Sequence, residues 1–260
     1  MKLEVLISAV DKNAAELIPQ MNIVTDAVLV NQCDSYGFET FAVQGGRVKC
    51  FSMPERGVGL SRNTALLHAS GDVTLFSDED IILASDYAEK IRRAYESLPD
   101  ADMILFNVEV GASRRTYWNR EIRRITYRNY GRYPAYSISA KLDALRRANV
   151  HYSLLFGGGA KYSNGEDSLF LRDCLKAGLR IYAHTACIGR EQERESTWFS
   201  GYHRKFFRDR GVLYHYLYGK LAIPLSLRFL WVHRKTMCRE ISVGKAFLIM
   251  RAGVREARGR

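Results

Sequence analysis

Two groups of acidic residues are the parts of this sequence best suited to chemistry. Residues 78–80 (DED) directly follow the apolar run 72–76, and residues 166–167 (ED) form a second group. Neighbouring carboxylates repel one another, and a shared cation removes that repulsion. Carboxylate oxygens are hard ligands that suit Mg²⁺ or Mn²⁺. A cation held in this way can clamp a diphosphate and stabilise the charge that develops as the diphosphate leaves.

The second acidic group has two interpretations. A carboxylate across a pocket from a metal can act as a general base toward an incoming hydroxyl. Residues 166–167 also open a predicted helix, however, where carboxylates simply favour the helix dipole, so their acidity alone leaves both interpretations open. Metal, diphosphate and base together describe group transfer from a nucleotide-activated donor.

The predicted elements place the first acidic group at the edge of a sheet. Strands and helices alternate, with strands predicted over 3–9, 26–32, 47–53, 72–76, 102–110 and 179–183, and helices near 12–20, 59–70, 85–97 and 166–178. This β-α-β order predicts an α/β fold with a mostly parallel central sheet flanked by helices. Ligands of such sheets bind beyond the carboxyl ends of the strands. Residues 78–80 follow the fourth predicted strand and therefore lie at such an end.

Composition limits the class of protein and its compartment. The 260 residues carry a formal net charge of +11, which favours polyanionic partners such as nucleic acid, an anionic membrane face or phosphorylated substrates. The five cysteines are scattered without a C-x-x-C motif, which suits a reducing compartment. Neither a signal peptide nor a transmembrane segment is expected. The prediction is a cytoplasmic protein, with peripheral attachment to the inner face of the cytoplasmic membrane left open.

Residues 201–260 differ in character from the rest, because they mix aromatic, leucine and basic residues. They predict a helical extension beyond a catalytic domain at 1–200. One interpretation is a helical cap packed on the core. The other is an amphipathic segment that lies on an anionic membrane face, where basic side chains meet lipid headgroups. Residues 111–134 are rich in arginine and tyrosine and predict either a solvated segment or a groove for phosphates.

Residues 55–80 (ERGVGLSRNTALLHASGDVTLFSDED) resemble the core of the family 2 glycosyltransferases, and the type that the sequence resembles is that of bacterial glycan biosynthesis. Residues 164–178 (NGEDSLFLRDCLKAG) resemble the later E-D segment of that family. The resemblance covers roughly residues 1–200 and implies the GT-A fold. The positions that match the family pattern in the first segment are Gly59, Ser61, Arg62, Asn63, Ala69, Gly71, Asp78 and Asp80.

The resemblance implies roles for individual residues. Asp78 and Asp80 take the places of the family's D-x-D motif, which contacts the donor ribose and a Mn²⁺ or Mg²⁺ ion, with Asp80 as the more direct ligand. Asp167 takes the place of the general base, and Glu166 supports it or shares the role. Further donor-binding residues are expected at Ser8, Asn31, Asp34, Arg62 and Glu79. The family inverts configuration at the anomeric carbon, which implies a single in-line displacement.

The sequence departs from the family pattern at two places. The second strand ends in VNQCDS instead of consecutive acids, so Asn31, Gln32 or Asp34 is expected to replace the usual base-contacting aspartate. His184 follows the last predicted strand, and some family members use a histidine there as a metal ligand. Trp198 is a candidate for stacking on an acceptor sugar, although a buried tryptophan is the commoner case.

The sequence therefore predicts an inverting, metal-assisted glycosyltransferase. Its donor is a nucleotide-diphosphate sugar, most simply a UDP-sugar, and its acceptor is a hydroxyl of a glycan or a lipid-linked molecule. A nucleic-acid-binding protein is the first alternative, but it leaves both acidic groups unexplained, and no nucleic-acid partner is expected. A nucleotidyltransferase is the second, but the glycine-rich loop expected after its first strand is missing from SAVDKNAAEL.

Overall fold

The computed structural model describes residues 1–112, 115–192 and 201–259. The N-terminal elements are β1 (Leu3–Val10), α1 (Ala14–Gln20), β2 (Asp26–Gln32), β3 (Gly37–Val43), β4 (Gly46–Met53), α2 (Val58–His68), β5 (Val73–Asp78), β6 (Ile81–Leu83), α3 (Tyr87–Ser97) and β7 (Met103–Glu109). The elements that follow are β8 (Arg123–Arg124), β9 (Ile138–Lys141), α4 (Leu142–Ala148), α5 (Glu166–Lys176), β10 (Ile181–Glu191), α6 (Arg204–Tyr218), α7 (Ala222–Met237) and α8 (Val243–Arg258).

One mixed sheet forms the centre of the molecule, in the strand order β3-β4-β2-β1-β5-β9-β7-β10-β6, and β8 pairs with β10. Strands β4, β2, β1 and β5 are parallel, as are β7 and β10. Strands β3, β6, β8 and β9 pair with their neighbours in antiparallel orientation and complete the sheet. The α/β fold with a parallel centre is thus confirmed, whereas the sequence pattern predicts none of these four antiparallel strands.

Helices cover the sheet on two sides, so its central strands are buried on both faces. Successive residues of β1 alternate between two apolar clusters, with Leu6 in one and Val5 and Ile7 in the other. The first cluster includes residues of α2, α4 and α5, and the second includes residues of α1 and α3. Burial of both faces explains why these strands are nearly continuous apolar runs.

The C-terminal residues form three helices, α6 to α8. Helix α6 packs on the core through residues that join the first apolar cluster, including Val212 and Leu213. Helices α6 and α8 touch through their backbones, since a Cβ atom at Gly253 would lie 2.2 Å from the carbonyl oxygen of Arg208. In the described part of the chain, no helix is both long and apolar enough to span a membrane.

Candidate active site

A cavity of about 590 Å³ opens beyond the carboxyl ends of β1, β2 and β5. We call it the central cavity, and it is lined by Ser8, Val10, Lys12, Gln32, Val58, Arg62, Asp78, Glu79, Asp80, Tyr136, Gly158, Ser163, Glu166 and Glu191. Its volume lies in the range of pockets that bind small molecules and cofactors. Its position at the strand ends is the one that the sequence analysis predicts.

The first acidic group is held in the short turn between two strands. In the parallel register, Asp78 at the end of β5 lies opposite Ser8 of β1. The turn leads directly into β6, and the backbone N–H of Gln192 donates to the carbonyl oxygen of Asp80 at 2.8 Å. Because the backbone is fixed on both sides, Asp78 and Asp80 are presented to the central cavity together.

Arg62 connects the two acidic groups, which lie about 90 residues apart in the sequence. Its guanidinium is buried and donates to Asp78 at 2.9 Å, to Asp167 at 2.9 Å and to Glu166 at 3.3 Å. It also stands over the ring of Tyr152, 5.2 Å from the ring centroid. A planar guanidinium with several fixed donors is well suited to hold three carboxylates in one arrangement. The two acidic groups therefore form one site.

The second acidic group contains a carboxyl with an unusual proton affinity. Burial raises the pKa of Asp167 to about 8; Arg62 acts in the opposite direction, and the negative charge of Glu166 adds to the increase. Its side chain is one-fifth exposed, and the neighbouring Glu166 lines the central cavity. A carboxyl whose pKa lies near the working pH suits general base catalysis.

Glu79 fixes the end of the first strand. Its carboxylate accepts a hydrogen bond from the N–H of Val10 at 2.7 Å and lies 3.6 Å from the ammonium of Lys12. Lys12 thereby becomes a second cation in the central cavity, beside Arg62. The sequence analysis missed Lys12, because a single lysine in a loop after a strand carries no distinguishing pattern.

The residues at the end of β2 and just after it differ in where their side chains lie relative to the central cavity. Gln32 lines the central cavity, and its amide oxygen accepts from the N–H of Gly57 at 2.7 Å. Asn31 points elsewhere: it accepts from the N–H of Lys12 at 3.0 Å and donates to the Lys12 carbonyl at 2.8 Å. Asp34 is almost fully exposed, pairs with Arg56 at 2.9 Å and does not line the cavity. Of the three candidates here, Gln32 is therefore the one placed to meet a ligand.

A divalent metal fits the aspartates of the first group only with help from a ligand. Within the described residues, no three His, Cys, Asp or Glu side chains are grouped closely enough to hold a metal by themselves. Asp78 and Asp80 both line the central cavity, however, and Mg²⁺-type sites commonly combine one or two carboxylates with substrate phosphates. The donor set therefore suits a metal that arrives together with a diphosphate.

Of two further candidates, His184 lies away from the central cavity, and Trp198 is outside the described residues. His184 lies inside β10, which continues to Glu191, and its Nδ1 accepts from the N–H of Ala186 at 3.1 Å. It is not among the residues that line the cavity. Trp198 lies outside the described residues, and its acceptor role stays a prediction.

Comparison with known proteins points to one family. Residues 26–153, just under half of the chain, match the model of the family described as glycosyl transferase family 2. The resemblance noted in the sequence is thus confirmed, and this glycosyltransferase is an enzyme rather than a nucleic-acid-binding module. No curated protein sequence matches the chain.

Solved structures share the fold of this glycosyltransferase. Residues 1–349 of TarS from S. aureus, in complex with UDP-GlcNAc, superpose with a TM-score of 0.61 and 16% identity, covering 92% of this chain and 74% of that one. The mannosyltransferase PcManGT from Pyrobaculum calidifontis, in complex with GDP-Man and Mn²⁺, gives a TM-score of 0.51 and 13% identity, covering 99% and 75%. At these identities the likeness concerns the GT-A fold alone.

Proposed function

We propose that this glycosyltransferase moves a sugar, with inversion, from a UDP-sugar to a hydroxyl of a glycan or lipid-linked acceptor. The observation that carries the proposal is the Arg62 bridge, which joins Asp78 of the D-x-D motif to the candidate base pair, Glu166 and Asp167. Donor activation and acceptor deprotonation then take place side by side. The TarS complex with UDP-GlcNAc supports a uridine donor, and the PcManGT complex with GDP-Man makes guanosine the alternative.

The donor is held by residues of β1, β2 and β5 and of the loops that follow β1 and β5. Ser8, Gln32 and Lys12 line the side of the central cavity formed by β1 and β2, and they provide hydrogen-bond donors and a positive charge for nucleotide and phosphate. Asp78 and Asp80 would hold Mn²⁺ or Mg²⁺ together with the diphosphate, and a bound ion would supply positive charge that favours departure of the UDP. The PcManGT structure is a complex with both GDP-Man and Mn²⁺, which supports this choice of metal.

The acceptor is activated by the second acidic group. Asp167 takes the proton of the acceptor hydroxyl as the oxygen forms a bond to the anomeric carbon. The bond from that carbon to the UDP oxygen breaks on the opposite side, so one displacement inverts the configuration. Arg62 keeps Asp167 and Glu166 oriented, and Glu166 lines the wall of the central cavity beside the base.

Release of UDP tests this proposal directly. The protein is incubated with Mn²⁺ and a panel of UDP-sugars and GDP-sugars, with and without a detergent extract of bacterial membranes as a source of acceptor. We expect UDP release from one UDP-sugar that the extract stimulates. Release of GDP alone would show that the donor is a GDP-sugar. No release from any nucleotide sugar would contradict the proposal.

The rate of transfer should depend on pH through Asp167. The base must be ionised, and its pKa is raised to about 8, so kcat/KM should rise with pH below about 8 and level off above it. Glu166→Gln removes a negative charge that contributes to the increase, so in this variant the rise should move to lower pH. UDP release measured between pH 5.5 and 9.5 checks both expectations. A flat wild-type profile from pH 6 to 8 would contradict them.

We also propose that α7 rests on an anionic membrane surface on the cytoplasmic side. Its outer side exposes apolar and basic residues at helical spacing, Leu227, Arg228, Trp231, Val232 and Lys235. Trp231 is 66% exposed, and Arg234 stacks on it at 4.4 Å from the ring centroid. Tryptophan and basic side chains together are typical of helices that lie in a lipid interface.

Vesicle co-sedimentation tests the α7 surface. We expect binding to vesicles with 30% phosphatidylglycerol, chosen as roughly bacterial in charge, and loss of most binding in Leu227→Glu/Trp231→Glu. Leu67→Glu is the control, because Leu67 is an exposed leucine on another helix, α2. Equal binding by the α7 variant and the control would contradict the proposal.

A further inference from the structure

The excess of positive over negative charge in this protein lies entirely in its C-terminal extension, residues 201–260. Residues 201–260 contain 14 Lys and Arg against three Asp and Glu, whereas residues 1–200 contain 25 of each. The whole net charge of +11 therefore belongs to α6, α7, α8 and their connections. Packing of an extension on a core does not require such an excess, which favours an anionic partner for this part of the molecule.

Part of this charge lines a groove along α6 and α8. Two adjoining hollows of about 490 and 480 Å³ share Arg204 and Arg208 in their walls. We call them together the basic groove, and the residues that characterise it are Lys161, Arg204, Lys205, Arg208, Lys245 and Leu248. It is distinct from the exposed side of α7, which contributes no residue to it.

Some cations of the basic groove have an acidic partner, and two others have none among the described residues. Arg208 pairs with Glu256 at 2.8 Å, and Lys205 forms an ion pair with Asp209. In the described ranges, Arg204 and Lys245 form no ion pair with any acidic side chain. Both stand in the first turn of a helix, where the helix dipole disfavours a cation. Arg204 and Lys245 therefore stand where the helix dipole disfavours them, and a bound anion would offset this cost.

One segment of the chain borders both the groove and the central cavity. Lys161 and Tyr162 line the groove, and the next residue, Ser163, lines the central cavity. Asp209 of α6 fixes this segment, because its carboxylate accepts from both the N–H and the hydroxyl of Ser163 at 3.0 Å. Glu166 follows three residues later, at the start of α5. The lining of the groove and the candidate base are therefore only a few residues apart along the chain.

We propose that the basic groove binds phosphate groups of the acceptor, so that the acceptor is a phosphate-bearing glycan chain. The inference rests on the proposed function and names its acceptor class. The central cavity is rich in carboxylates and repels a second anion besides the donor diphosphate. The acceptor must then present a neutral hydroxyl to the cavity while its phosphates stay outside. The basic groove offers Arg204, Arg208 and Lys245 at that position.

Binding of a defined polyanion tests the groove. Fluorescently labelled inorganic polyphosphate is titrated against the full chain, and Arg204→Glu and Lys245→Glu are compared with Arg251→Glu. Arg251 is an exposed arginine of α8 outside the groove, so all three variants change the charge equally. Each groove variant places an acid in a first helical turn, where the dipole favours it, so the fold is not weakened. We expect each groove variant to weaken binding about tenfold and to flatten its salt dependence, and Arg251→Glu to change it little.

The outcomes separate the groove from its alternatives. An equal loss in Arg251→Glu would mean general attraction to the extension and would overturn the proposal. Loss of binding to phosphatidylglycerol vesicles with unchanged polyphosphate binding would assign the groove to lipid headgroups and overturn it as well. UDP binding is measured on the same samples. Groove-dependent polyphosphate binding without any UDP binding would contradict the proposed donor while leaving the anion site in place.

Discussion

Replacing Arg62 with methionine should abolish transfer and lower the free energy of unfolding by about 3–5 kcal/mol, the range found when one partner of a buried ion pair is removed. Arg62 is buried and serves three carboxylates, so its loss leaves Asp78, Glu166 and Asp167 facing one another without a counter-charge. The loss of stability should be larger at pH 8 than at pH 5, because burial raises the pKa of Asp167 to about 8, so at pH 5 this carboxyl is protonated and needs the charge of Arg62 less. Urea denaturation at both pH values measures it.

Two companion variants make the Arg62 result specific. Arg62→Lys keeps the charge but not the planar set of donors, so it should recover part of the stability and little of the activity. Arg56→Met removes an arginine of similar length that pairs with Asp11 and Asp34 at the surface, and it should change the stability far less. Arg62→Met with wild-type stability and activity would show that the two acidic groups do not depend on each other.

Replacing Asp167 with asparagine should reduce turnover by about 10²–10⁴-fold, the usual contribution of a general base, while leaving UDP binding unchanged. Asparagine has the same shape, and its side-chain oxygen can still accept the hydrogen bond that Arg62 donates at 2.9 Å. It cannot take a proton from the acceptor. UDP release under saturating donor, together with calorimetry of UDP binding, separates the two effects.

Glu166→Gln is the matched control for Asp167→Asn. Glu166 shares the same arginine but only supports the base in this mechanism, so its variant should lose less turnover than Asp167→Asn. The reverse order would exchange the roles of the two carboxylates. A parallel fall of UDP binding and turnover in Asp167→Asn would instead make Asp167 a structural residue.

The sequence predicts the parallel centre of the fold because that part is coded locally. Strands such as β1 and β5 are apolar runs buried on both faces, and the glycine at 71 fits a tight turn. A Cβ there would lie 3.0 Å from the Cβ of Glu4. Strand β3 escapes prediction because it is an exposed edge strand without a buried side. Strand β9 has only four residues, and its place between β5 and β7 depends on long-range pairing.

The sequence predicts the carboxylates of the candidate site but not the contacts that hold them together. Asp78, Asp80 and Glu166 follow from motifs, and the cavity contains all three. The contact of Arg62 with both acidic groups joins residues more than 100 positions apart, and no local pattern encodes it. Asn31 and Gln32 are adjacent in a strand and therefore point to opposite faces, so composition alone cannot tell which of them meets the ligand.

The central claim is a metal-dependent nucleotide site at Asp78 and Asp80. The most direct measurement is calorimetry of UDP binding with and without Mn²⁺, on the wild type, on Asp80→Ala and on Asp34→Ala. Asp34 is the matched aspartate, exposed and outside the central cavity. We predict that Mn²⁺ strengthens UDP binding in the wild type and in Asp34→Ala, and that Asp80→Ala loses this gain. UDP binding that is indifferent to Mn²⁺, or equally strong in Asp80→Ala, would contradict the account.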